Sequence, residues 1–238
     1  MKFTNISIIL FFFASSVYAK RDYVGVDMNF GFSSYSYWFP DQDEYDKNVL
    51  PRINRGIGIK RLSFLDENNK FSFSYAAKYD TRGFFLELAV PNTGDEGIKD
   101  KYIYKFLDFP ITMKMHSGNP LHLFRHRNIP NIFESESIQG SFIEFGLVPS
   151  IPISVMIEDQ ETGKMYDVSS NHLPLDFSIL IGGGLSYKIN KGNQLLLVKT
   201  NLRQSLLNFD KSNAFENLSI NATILEASIV ILFSTSKI

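Results

Sequence analysis

The sequence predicts an all-β protein, an eight-stranded antiparallel up-and-down transmembrane β-barrel, and three observations carry that expectation. Apolar and polar residues alternate with period two after residue 20, and no period of 3.6 competes. The alternating segments are far longer than the five or six residues, roughly, of soluble strands, and long enough to cross a bilayer at a tilt. Short and long polar connections then alternate along the chain, as they do where a barrel has one short-turn rim and one long-loop rim.

The first segment precedes the fold. Lys2 is the only charge before Lys20, an apolar run spans 6–14, and Val17-Tyr18-Ala19 closes it. A basic start, a short apolar centre and small residues at the third-last and last positions predict a signal peptide over 1–19. The barrel domain is then 20–238, exported to an outer membrane. The apolar run is short for a spanning helix, which needs about 20 residues.

Eight strands are predicted, at about 22–35, 53–65, 70–88, 101–116, 141–155, 176–190, 193–206 and 220–233. The first sets Val24, Val26, Met28, Phe30 and Phe32 against Gly25, Asp27, Asn29, Gly31 and Ser33. The third sets Phe71, Phe73, Tyr75, Ala77 and Tyr79 against Ser72, Ser74, Ala76, Lys78 and Asp80. In the fifth, Ile143, Phe145, Leu147, Ile151 and Ile153 face away from Glu144, Gly146 and Ser150. The sixth alternates through Gly182-Gly183-Gly184, where glycine fits close backbone approach rather than a phosphate loop, since no helix follows. The seventh opposes Leu196, Val198 and Leu202 to Lys199, Asn201 and Arg203. The eighth is the weakest, because Ile224, Val230 and Leu232 share the face of Glu226 and Ser228.

Asp66-Glu67-Asn68-Asn69 and Asn190-Lys191-Gly192 read as tight turns. Residues 36–52, 91–100, 158–175 and 207–219 read as long loops. The junction 117–140 breaks the pattern: it should be short, so either it is an insertion or the strand count fails there.

The polar face carries Asp27, Lys60, Lys78, Asp80, Arg82, Asp108, Lys114, Glu144, Asp176, Lys188, Lys199, Arg203 and Glu226, seven basic and six acidic groups. An eight-stranded barrel is only wide enough for its side chains, and buried charges must pair, so these residues predict a lumen plugged by ion pairs. The near-balance of sign argues against a selective pore. Twenty-four basic against 25 acidic residues give a net charge of −1, which leaves no general electrostatic case for nucleic acid. The absence of cysteine excludes disulfides, thiolate metal sites and cysteine nucleophiles.

No catalytic, cofactor or metal residue is assigned. His122 and His126 have the i, i+4 spacing of a helical metal pair, but no helical period surrounds them. His116 could pair with a serine as in a lipid-modifying hydrolase, on which composition alone is silent. The apolar Ile129, Ile132 and Phe133, beside Arg125 and Arg127, are unusual for a loop and mark the candidate partner contact.

Tyr102-Ile103-Tyr104-Lys105-Phe106-Leu107-Asp108-Phe109-Pro110-Ile111-Thr112 resembles the signature strand of PorT-like outer-membrane β-barrel proteins of Bacteroidetes. Gly182-Gly183-Gly184-Leu185-Ser186-Tyr187-Lys188, a polar turn and the stretch through Asn201-Leu202-Arg203-Gln204-Ser205-Leu206 resemble a hairpin of the same family. Gly56-Ile57-Gly58-Ile59 and the third strand fit as well, while 117–140 has no counterpart there. The resemblance implies an eight-stranded barrel in the outer membrane, some of whose relatives are linked to protein secretion. The expected function is a non-enzymatic structural or interaction component of a Gram-negative cell envelope. Its expected partners are outer-membrane lipid, the barrel assembly machinery and an envelope or secretion protein, with no cofactor and no nucleic acid. A lipid-modifying barrel enzyme, a small-solute channel and a secreted soluble β-barrel carrier are the alternatives.

Overall fold

A computed structural model describes residues 21–38, 46–66, 68–89, 98–117, 138–171, 173–189, 193–207 and 219–235. Its strands are β1 (Arg21–Trp38), β2 (Asp46–Phe64), β3 (Phe71–Ala89), β4 (Ile98–Asp108), β5 (Ile111–Ser117), β6 (Ile138–Asp159), β7 (Met165–Asp167), β8 (Asp176–Ile189), β9 (Gln194–Ser205) and β10 (Ser219–Ser234). β4 and β5 run end to end between β3 and β6, so together they form one stave. β1 pairs with both β2 and β10, which closes the sheet into eight antiparallel staves. All eight expected strands are present.

The expected strand at 101–116 is interrupted at Phe109-Pro110, and the second strand begins at Asp46, inside the segment 36–52 expected as a loop, because 46–51 continue the ladder with β3. Pro110 has no N–H to give to a ladder. The chain bridges the gap through carbonyls instead: Ala76 donates to the Pro110 oxygen at 3.0 Å and Phe109 to the Pro149 oxygen at 2.8 Å. No chain reversal occurs there. Residues 117 and 138 therefore leave and re-enter the rim that also carries the 65–70 turn, and β5 pairs directly with β6, so the count of eight staves holds across this junction.

The register gives the shear. From Phe32 the paired residues are Leu225, Leu202, Ile181, Phe145, Met113, Phe73, Ser63 and finally Asp22, back on β1 ten positions from the start. Such stagger accompanies strands tilted by about 40° around an interior that side chains can fill.

The period-two faces resolve as expected. Most outward residues are apolar and exposed, with Ile59 at 66%, Ile143 at 61% and Ile181 at 60%. An exterior this apolar on a closed barrel, with its polar groups turned inward, is inverted relative to a water-soluble domain. The chain is built as a transmembrane β-barrel of the outer-membrane type.

Candidate functional site

The interior is layered, and the strand phase creates the layers. At the long-loop end, inward positions of β1, β3, β4, β6 and β10 place Tyr35, Phe84, Leu86, Tyr104, Phe106, Val155, Ala222 and Ile224 in one buried cluster. Tyr35 stacks on Tyr104 with ring centroids 5.3 Å apart, and Tyr104 on Phe106 at 6.0 Å. At the short-turn end, Tyr23, Leu62, Phe64, Phe142, Leu195, Leu197, Val230 and Leu232 form a second cluster. The charged residues lie between these apolar caps.

Twelve of the thirteen predicted lumen charges are buried, six basic and six acidic. Lys188 is the exception: it is half-exposed at the end of β8, so the expected seven-to-six count becomes an even balance. Towards the long-loop cap, Arg82 binds Asp80 through Nε at 2.8 Å and Asp108 through Nη2, with its guanidinium 4.2 Å over the Phe106 ring. Arg203 reaches Asp108 at 2.7 Å and Asp80 at 3.8 Å. Towards the other cap the cations are all lysines. Lys199 and Lys114 share Glu144, the former at 2.6 Å, and Lys60 reaches Asp27 at 3.2 Å. Lys78 lies 3.6 Å from Asp27 and 3.9 Å from Glu226. Asn29 and Asn201 donate to the two Glu226 oxygens, both at 3.1 Å, and tie the halves together. Arginine forks serve paired carboxylates and lysine point charges serve shared ones, as their geometries suit.

The glycines of β8 fit the close-approach reading. A Cβ on Gly182 would lie 2.2 Å from Asn201 Oδ1, and one on Gly184 2.2 Å from the Val198 carbonyl oxygen.

The structure brings His116 and a serine together. Ser72 Oγ lies 2.8 Å from His116 Nε2, and the imidazole is wedged between Phe64 and Phe142 with centroids at 5.2 and 5.5 Å. Ser72 is fully buried, and His116 Nδ1 has no hydrogen-bond partner among the described residues. A hydrolytic triad needs a reachable hydroxyl and an acid on the second nitrogen. Among the described residues no group of three His, Asp or Glu is arranged to hold a metal. His122, His126, His172 and the candidate contact residues Arg125, Arg127, Ile129, Ile132 and Phe133 lie outside the described residues, as does the segment 1–19.

Two exterior features were not anticipated. Near the short-turn rim, Arg61 pairs with Asp22, which also accepts from Ser63 at 2.5 Å, and Arg61 reaches the Tyr75 hydroxyl at 3.0 Å. Tyr75 keeps its expected outward phase, directly opposite Arg61, but this cluster covers it. At the long-loop rim, β6 turns through Gly163 (φ 67°) into β7, leaving Met165 and Tyr166 exposed. The Thr162 hydroxyl and backbone N–H groups donate to Asp159 and hold its carboxyl below the usual range. In the opposite turn, the Phe71 and Lys70 N–H groups do the same for Asp66.

No family model and no curated protein matches the chain. Among solved structures, the chain is similar to the outer membrane protein OprG from Pseudomonas aeruginosa, with 9% identity over 92% of this chain and 98% of that one and a TM-score of 0.48. Ail, the attachment invasion locus protein of Yersinia pestis, is 10% identical over 88% of this chain and 98% of its own, with a TM-score of 0.32. The outer membrane protease OmpT from Escherichia coli is 6% identical over 91% and 97%, with a TM-score of 0.38. The barrel assignment itself rests on the strand register and on the inverted polarity of the two faces.

Proposed function

We propose that the chain is an outer-membrane barrel with a plugged lumen, a non-enzymatic scaffold that presents its long-loop rim to partners in the cell envelope. The observation that carries this reading is the sealed interior, an evenly balanced ionic layer between two apolar caps. A lumen built this way offers no continuous polar path for a solute and leaves recognition to the loops. The long-loop rim supplies a rigid base for that, because β6 extends to Asp159 and folds back as β7, braced by Lys101–Glu158 at 2.6 Å. The PorT-like strand and hairpin support an accessory role in protein secretion. The insertion 118–137, with Ile129, Ile132 and Phe133 beside Arg125 and Arg127, supports a second contact on the periplasmic side.

Epitope insertion tests the orientation on which this reading depends. A tag between Glu161 and Thr162 should be reached by antibody on intact cells, and a tag at Glu67 only after the outer membrane is permeabilised. The reverse pattern, or both tags hidden in intact cells, contradicts display at the cell surface.

A further inference from the structure

One row of polar residues on the mostly apolar exterior carries two cations. Arg55 of β2 opposes Thr81 of β3, Thr81 opposes Lys105 of β4, and Lys105 opposes Ser154 of β6. All four occupy outward positions: Arg55 is exposed and the other three are half-buried. Their neighbours along the strands are apolar or aromatic, with Ile53 at 52% and Ile57 at 55% exposure on either side of Arg55. Every buried cation of the lumen has a carboxylate partner, and so do the outward Arg61 and Lys101. Arg55 and Lys105 have no hydrogen bond or ion pair among the described residues.

Unpaired cations on the lipid side of a barrel are most costly at the bilayer midplane and cost almost nothing at the interface. The row therefore belongs at headgroup depth, where the anions available are phosphates. Its chemistry suits one: a guanidinium fork, an ammonium and two hydroxyl donors along one wall, the cations two strand spacings or about 10 Å apart at their Cα atoms. Both are long enough to converge on a group lying over Thr81. We propose that Arg55 and Lys105, with Thr81 and Ser154, hold the phosphate of an anionic membrane lipid against the outer wall. The inference rests on the transmembrane reading of the barrel.

The test uses the full mature chain refolded in phosphate-free maltoside micelles. Heat-modifiable gel mobility is recorded first, and its absence in the wild type would sink the transmembrane reading itself rather than the lipid site. Folded protein is then titrated with dihexanoyl phosphatidic acid, with dihexanoyl phosphatidylcholine and with inorganic phosphate, and adducts are counted by native mass spectrometry. The site predicts phosphatidic acid bound in preference to phosphatidylcholine. It also predicts affinity weaker by about tenfold for each cation removed in R55Q and in K105Q, since each loses a charge-assisted bond. K99Q, which removes an exposed cation above the row, should bind as the wild type does. Undiminished binding in R55Q and K105Q, or an equal loss in K99Q, overturns the proposal. Displacement of the lipid by equimolar inorganic phosphate assigns the row to free phosphate and overturns it as well.

Discussion

Replacing Arg82 by methionine tests whether the lumen is dry. Arg82 is fully buried and neutralises two carboxylates at once, Asp80 and Asp108. Among the described residues Arg203 would remain as the one cation paired with them, 2.7 Å from Asp108 but 3.8 Å from Asp80, so Asp80 would keep one long ion pair and the Asn29 amide at 3.4 Å. Removing one partner of a buried, hydrogen-bonded pair costs about 3–5 kcal/mol, because the charge left behind cannot hydrate. Methionine roughly preserves the volume of the side chain stem over Phe106, so the loss is chiefly electrostatic. Urea unfolding of the refolded protein in lipid vesicles, followed by fluorescence of its single tryptophan, should show a loss of that size. Adding D80N to R82M should recover part of it, since the least-paired charge is then gone. A loss below about 1 kcal/mol, the range of solvent-exposed ion pairs, would mean that water reaches the network, and would refute the plug.

Three further perturbations follow from the same geometry. Asn54 is fully buried with neither side-chain polar atom partnered among the described residues, so Asn54→Val should stabilise the barrel by about 1 kcal/mol in the same urea assay. Gly184→Ala should destabilise it by about 1–3 kcal/mol, because the added carbon meets the Val198 carbonyl across the pair; an unchanged midpoint would show that the wall can move apart. The Asp66 carboxyl is held below its usual range by the Phe71 and Lys70 N–H groups, so its support of the β2–β3 turn is present above the unfolded carboxylate range and is lost as pH falls through the depressed folded value. The wild type should therefore lose more stability than Asp66→Asn on going from pH 6 to pH 3, a difference readable from paired urea midpoints.

The sequence alternation was sufficient to place the eight staves, the lipid-facing side chains and twelve of the thirteen lumen charges, because a period of two has only two faces to assign. It was insufficient wherever the meaning of a face changes along one strand. Ile224, Val230 and Leu232 share the phase of Glu226 and read as a fault in the last strand, yet they belong to the two caps that close the lumen. Tyr35, Phe84 and Tyr104 were hidden in the same way, since an inward aromatic is visible only when neighbouring staves supply its stacking partners. Pro110 carried a local signal for the break in its stave, as proline cannot donate to a ladder. Arg55 and Lys105 lie in phase with Ile57 and Leu107, so cations at apolar positions were legible one strand at a time; their union in one row needed the register. Ser72 and His116 are separated by 44 positions, and no spacing rule joins them.

Conductance across a planar bilayer tests the sealed lumen most directly. Purified, heat-modifiable protein should produce no discrete conductance steps under applied voltage. Steps that scale with salt concentration, and that change size in R82M or K199Q, would show a water-filled path through the ionic layer and contradict it.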